Sequence, residues 1–278
     1  MKFLTKLAFA AAMTLPAADA YAQASSATMS QWLDCVINPS ELVDIGSPVA
    51  GILSEVLAER GDSVKSGQIL ARLQADVESA NVELARVRAE NEVGIESGRV
   101  RSKYYEQKRD RTRKIHKRRI VSEEALETAE VEWILAVNEM LNAEYQKRLA
   151  EAELERAKAL FSLKTIRSPA DGVVVQRMLG PGAFVHDEVG ILTLATVDPL
   201  HVETYAPIAM FPHIDATGKA EVVPEAPFDE SRRARVAVVD SVFDAASGTF
   251  GIRLNMPNPD RSIPAGIKCK VRFRLVTY

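Results

Sequence analysis

Three textures of hydrophobic and polar positions succeed one another along the chain. Residues 40–73 carry short runs of Val, Ile and Leu punctuated by glycine, which predicts short strands joined by turns. Residues 76–162 contain no proline and are dense in Ala, Glu, Arg and Leu, which predicts helix. From Ser168 onward glycine and proline return and strand patterns resume. Near the C-terminus Cys269, Val271, Phe273 and Leu275 alternate with Lys268, Lys270, Arg272 and Arg274. Phe250, Ile252, Leu254 and Met256 alternate with polar or small neighbours in the same way. One face of each strand is then buried and the other wet, as the wall of a small barrel requires.

The two strand-rich flanks of the helical stretch repeat each other. Ser47-Pro48-Val49-Ala50-Gly51-Ile52 returns as Ser168-Pro169-Ala170-Asp171-Gly172-Val173, an offset of 121. Gly61 and Val64 return as Gly182 and Val185 at the same offset, and Ile69-Leu70 answers to Ile191-Leu192 after a one-residue slip. Each half reads strand, glycine turn, strand, glycine turn, strand. One half buries too little apolar surface to stand alone, so the halves are expected to clasp into one β-sandwich.

Between them the insertion reads as two antiparallel helices. Leu126, Trp133, Met140, Lys147, Leu154 and Phe161 recur every seven residues in the second arm. Ala129, Ala136, Ala143, Ala150 and Ala157 follow the first five of these by three. Large residues at one core position and alanine at the other suit a closely spaced antiparallel coiled coil. In the first arm, about Asp76 to Lys117, Val77, Leu84 and Val87 fit a seam that Asn91, Gly94 and Gly98 then weaken. The glycines mark a bend, a tight contact or a flexible stretch, and together cost about 2 kcal/mol against alanine. Arms of roughly 40 residues would span about 60 Å, the length of a spacer.

Composition changes this picture mainly at the N-terminus. Lys2 and Lys6 precede a nine-residue apolar run, Leu7 to Leu15, and Ala20-Tyr21-Ala22 offers a cleavage site before Gln23. That is the layout of a secretory signal peptide, and the run is far shorter than the roughly 20 residues of a spanning helix. Cys35 follows Trp32-Leu33-Asp34, which lacks the small residues a lipid-attachment site needs. A net charge of −3 argues against a general nucleic-acid binder. In an oxidising compartment Cys35 and Cys269 either pair or stay as two separate thiols. The alternation points Cys269 inward, and a disulfide would tie the lead-in strand to the final strand.

Together these residues resemble the periplasmic adaptor, or membrane fusion protein, family of tripartite efflux pumps. The resemblance rests on Gly51 through Leu73, Thr165 through Val174 and Ser247 through Val271, in that order and with helices between the first two. It implies an α+β fold, a split lipoyl-like β-sandwich interrupted by a long antiparallel coiled-coil hairpin and followed by a small β-barrel. The expected limits are a signal peptide at 1–22, a lead-in strand at 23–45, lipoyl-like halves at 46–74 and 164–196, the hairpin at 75–163 and the barrel at 197–278. The resemblance also implies a periplasmic, envelope-associated adaptor with no enzymatic activity. Its partners would be an inner-membrane efflux transporter and an outer-membrane channel, and six protomers would form a ring. The leading transporter class is resistance-nodulation-division. The alternatives are an ATP-binding-cassette exporter, or an exported coiled-coil scaffold with no transport role. Many relatives continue into a further β-domain, whereas this sequence ends at Tyr278, just after the last barrel strand.

Family members that dock tip to tip on a channel carry Arg, then Leu four residues on, then Ser seven further. Arg111, Ile115 and Ser122 have that spacing, with isoleucine for leucine. The same residues also read as a solvated charge, a last seam residue and an N-cap. Lys108 to Arg119 holds eight Lys and Arg residues against Asp110, which suits a solvated face or a contact with acidic channel residues or anionic lipid.

No cofactor is expected. A lipoyl carrier needs a modifiable lysine at an exposed turn between its halves, and no lysine lies between Lys65 and Lys103. His116, His186, His201 and His213 are dispersed and lack metal-ligand spacing with the cysteines; Met210 beside His213 is the one pair suited to a soft metal.

Overall fold

The computed structural model describes residues 31–186 and 189–275, so the predicted signal peptide and its cleavage site lie outside the described residues. The chain divides into two compact units. Among the described residues, one spans 38–200 with 258–265, and the other comprises 31–37, 201–257 and 266–275.

In the first unit β2 (Gly51–Val56), β3 (Ser63–Val64) and β4 (Ile69–Leu73) precede the helices. The strands β5 (Thr165–Arg167), β6 (Gly172–Arg177), β7 (Phe184–Val185) and the first part of β8 (Leu192–Pro207) follow them. The sequence repeat becomes a reciprocal pairing. Gly51 of β2 stands opposite Val185 of β7, and its counterpart Gly172 of β6 stands opposite Val64 of β3. The Gly61 N–H donates to the Val174 carbonyl at 2.8 Å, and the Gly182 N–H donates to the Leu53 carbonyl at 2.8 Å. Ser47 Oγ donates to the Val49 carbonyl and Ser168 Oγ to the Ala170 carbonyl, both at 2.6 Å. Gly61 and Gly182 both sit at positive φ, 94° and 85°, where a side chain would be strained. Each half thus lends a strand to the other's sheet. Their shared core includes Leu53, Val64, Leu70, Val174, Val185 and Ile191. These are three pairs at the offset of 121, so Leu70 answers to Ile191 and the one-residue slip disappears in three dimensions.

The insertion holds three helices rather than the two expected: α1 (Asp76–Ala89), α2 (Val93–His116) and α3 (Glu123–Ser162). α3 runs unbroken for 40 residues and lies antiparallel to the other two. Lys164, just past its end, pairs with Glu78 at 3.0 Å, Glu139 with Arg101 at 2.6 Å and Glu130 with Arg113 at 2.8 Å. The first arm breaks at Glu90–Glu92, short of either glycine, where the Asn91 side chain accepts the Val93 N–H at 3.1 Å. Opposite the break stands Lys147, the polar residue in the heptad, which pairs with Glu92.

The expected seam in α1 is displaced. Val77, Leu84 and Val87 are 70%, 51% and 56% exposed, while Ala85 and Ala89 are buried with Val82 beside them. The face toward α3 carries the small residues Ala85 and Ala89, which let the backbones approach closely. Gly98 continues that logic in α2: a Cβ there would lie 2.8 Å from Met140 Cα. Gly98 is a tight contact, one of the three readings left open for it.

In the second unit the strands follow the order β1 (Leu33–Ile45), β12 (Ile267–Phe273), β9 (Lys219–Pro224), β10 (Arg232–Val239), β11 (Thr249–Met256), β8, and a β1–β8 pairing closes the six-stranded barrel. A 3-10 helix, Ile208–His213, follows β8. The barrel interior takes Cys269, Val271 and Phe273 from β12 and Phe250, Ile252 and Leu254 from β11. Cys35 and Cys269 face each other in the β1–β12 register, with Cα atoms 4.8 Å apart and their sulfurs bonded.

Candidate docking site at the helical turn

α2 ends in a turn built from its own carbonyls. The Arg119 N–H donates to the His116 carbonyl at 2.7 Å and the Ile120 N–H to the Ile115 carbonyl at 3.3 Å. Arg119 has φ 59°, so the helix closes with the left-handed residue of a Schellman motif, here an arginine where glycine is usual. Ile115 supplies one of the two carbonyls that close the motif. Ser122 caps α3, its Oγ accepting the Ala125 N–H at 3.2 Å, and Glu123 and Glu124 stand in the first turn, where the helix dipole favours them.

Ile115 and Ser122 line one shallow groove with Thr112, Val121 and Ala125. Arg111 does not line it; it lies one turn back on α2, exposed, on the side that carries Ile115. The structure therefore gathers the three expected residues around the turn but gives two of them local structural duties.

The basic stretch separates into two sets. Lys108 donates to Glu132 at 2.6 Å, which raises its pKa, and Arg113 donates to Glu130 at 2.8 Å, with the same effect. Arg109 is only 9% exposed, and its guanidinium lies 3.9 Å from the Trp133 ring centroid. It also donates to Asp110 at 2.7 Å and so lowers that carboxyl's pKa. These three cations hold the helices together. Arg111, Lys114, Lys117, Arg118 and Arg119 make no ion pair among the described residues. The sequence offered no warning that Arg109 is buried; its spacing of eleven from Gly98 and four from Tyr105, both facing α3, is the only available signal.

Elsewhere, the described residues hold no group of three or more His, Cys, Asp or Glu suited to a metal ion. No helix among them is long and apolar enough to cross a membrane.

A β-sandwich assembled from two strand-swapped halves, opened by a helical insertion and accompanied by a six-stranded barrel, is the barrel-sandwich architecture of adaptor proteins. The chain matches the CzcB-like, barrel-sandwich hybrid domain family over residues 41–196. It belongs to that family, and with it to the membrane fusion, or periplasmic adaptor, proteins. It is 26% identical over 250 residues to the macrolide export protein MacA of Yersinia pestis, covering 84% of this chain and 64% of that relative's length. The crystal structure of MacA from Actinobacillus actinomycetemcomitans superposes with a TM-score of 0.72 at 17% identity, covering 88% of this chain and 78% of that one. A MacA–MexA chimera carrying the Pseudomonas aeruginosa MexA α-hairpin gives 0.56 at 15% identity, with 88% and 81% covered.

Proposed function

We propose that this protein is exported by its N-terminal segment and works as the non-enzymatic periplasmic adaptor of an efflux assembly. It couples an inner-membrane transporter to an outer-membrane channel. α1, α2 and α3 then act as one coiled-coil hairpin whose turn meets the channel, and copies of the chain assemble into a ring. The observation that carries this reading is the set of five cations around the turn. The hairpin's own carboxylates engage Lys108, Arg109 and Arg113 and leave those five facing solvent beside Ile115 and Ser122. A helical insertion that only filled space would have no use for them, whereas an acidic partner surface would.

The test compares Arg111→Asp with Arg88→Asp in cells that depend on the chain for export. Arg88 is exposed near the base of the same arm and forms no ion pair among the described residues. Loss of export and of channel co-purification with Arg111→Asp alone is expected. Equal behaviour of the two variants would remove the docking role. The neighbouring transporter gene separates a resistance-nodulation-division partner from an ATP-binding-cassette exporter.

A further inference from the structure

The outer face of the β12–β9–β10 sheet carries charge of nearly one sign. Arg272 of β12 stands opposite Glu221 of β9, which stands opposite Arg233 of β10. Two residues along, Lys219 of β9 faces Arg235 of β10, and Arg274 follows Arg272 on the same side. In the other direction come Lys270 and Lys268, opposite Asp34 and Val36 of β1. Glu221 is already occupied: it accepts from Arg272 and from Ser231, both at 2.7 Å. Arg272 also covers the Trp32 ring, 4.6 Å from its centroid. That leaves Lys219, Arg233, Arg235, Lys268, Lys270 and Arg274, all exposed and without an ion pair among the described residues.

The barrel end that this face reaches is apolar. Two connections meet there, the 3-10 helix between β8 and β9 and the loop at 240–248 between β10 and β11. The Ile208 N–H donates to the Gly248 carbonyl at 3.1 Å, and Ile214 bridges to Leu275, beside Arg274. Ile208, Phe211 and Phe243 are exposed at this end, and Val242 is 83% exposed. Phe211 and Phe243 meet edge to face at 5.0 Å, and both rest on the buried Phe250, at 5.2 and 5.8 Å. The core therefore holds these rings in place from beneath. Two carboxylates of this end are turned back onto their own loops. Asp215 accepts from the Thr217 N–H and hydroxyl, and Asp244 from the Ala246 N–H and the Ser247 hydroxyl.

An apolar tip bordered by cations matches an anionic bilayer, where apolar side chains reach the acyl boundary and Lys and Arg meet phosphates. A protein partner fits less well, because charged residues, lysine among them, are depleted from the core of protein interfaces. We infer that this end of the barrel docks on the surface of an anionic phospholipid bilayer. Ile208, Phe211, Val242 and Phe243 enter between the head groups, and Lys219, Arg235 and Arg274 meet the lipid phosphates. The inference goes beyond the adaptor reading and stands on the barrel alone.

The test sediments the full exported chain with vesicles of phosphatidylcholine, alone or mixed with phosphatidylglycerol. The chain should follow only the mixed vesicles and be released by salt. Lys219→Gln with Arg235→Gln and Arg274→Gln should weaken binding about a hundredfold. Arg60→Gln with Arg88→Gln and Arg148→Gln, which removes as many exposed cations elsewhere, should bind as the unsubstituted chain does. Lys219→Arg with Arg235→Lys and Arg274→Lys should also bind normally, because a lipid surface counts charge. Val242→Trp should show emission at shorter wavelength on adding mixed vesicles, which reports entry of the tip. Melting curves matching the unsubstituted chain exclude misfolding. Binding kept by the first triple variant, or lost equally in the matched one, overturns the inference. Release by soluble glycerophosphate at constant ionic strength would mark a discrete phosphate pocket and overturn it too. So would a chain that ignores both vesicles while the first triple variant loses co-purification with the transporter, which assigns the face to an acidic protein. Vesicle binding without export leaves this contact standing and removes the adaptor role, and export without vesicle binding does the reverse.

Discussion

The Arg109 guanidinium stacks 3.9 Å from the centroid of the Trp133 ring and is almost fully removed from solvent. A cation so placed is compensated by the ring face and by Asp110, and Arg can lie flat on the indole while donating sideways. Lysine presents a compact, strongly hydrated charge and cannot do both. Arg109→Lys should therefore lower stability by about 1–2 kcal/mol, and Trp133→Leu by about as much. The double variant should lose less than the sum, because each partner's loss already removes the shared contact. Urea midpoints of the four proteins measure this, and strict additivity would count against the stacking.

Gly98 and Gly94 make a matched pair four residues apart. A Cβ at Gly98 would meet Met140 backbone at 2.8 Å, whereas one at Gly94 would meet only Ala143 Cβ at an ordinary 3.6 Å. Gly94→Ala should stabilise by about 0.5–1 kcal/mol through helix propensity alone. Gly98→Ala gains the same propensity but forces α2 and α3 apart, a strain of about 1–3 kcal/mol, and should come out destabilising. Thermal unfolding of both variants decides the signs.

Much of the fold was legible because its signals were long or doubled. The repeat appeared in sequence as SPxxG with a matching Gly and Val, and in space as reciprocal hydrogen bonds between the same positions. The heptad of α3 was legible for the same reason. The α1 seam was not. Val77, Leu84 and Val87 carried the periodic apolar signal yet face outward, while Ala85 and Ala89, which carry no such signal, are the buried residues of α1. The break at Glu90–Glu92 was masked by the louder glycines. At the turn, the spacing of Arg111, Ile115 and Ser122 was visible and Ser122 before Glu123 and Glu124 already read as an N-cap, but nothing local showed that the Ile115 carbonyl closes α2. A left-handed Arg119 is equally silent, since sequence marks such positions only when glycine or asparagine occupies them.

Cys35 and Cys269 join the first and last strands of the barrel, 234 residues apart. In the exported protein, alkylation after denaturation without reductant should find no free thiol. Cys35→Ser with Cys269→Ser should cost about 2–5 kcal/mol, the barrel side unfolding at lower denaturant. Two free thiols in the native protein would overturn the pairing.

The Glu92–Lys147 pair gives the helical insertion a defined response to pH. Glu92 is held below the ordinary carboxylate range, chiefly by its hydrogen bond to Lys147, and Lys147 is raised by the same bond. A depressed acid contributes stability above its unfolded pKa and loses it as pH falls through the folded value. A raised base contributes below its unfolded pKa and loses it as pH rises. The pair should thus support the α1–α2 break across neutral pH and cease to do so once acid carries Glu92 through its lowered pKa. Glu92 is largely accessible to solvent and Lys147 partly so, and the contribution is therefore small and screened by salt. Glu92→Gln isolates it from the many other carboxylates that titrate over the same range. The melting temperature of wild type should exceed that of Glu92→Gln at pH 7 and low salt, and the two curves should converge on acidification. A constant gap from pH 7 to pH 3 would show that Glu92 acts by something other than its charge.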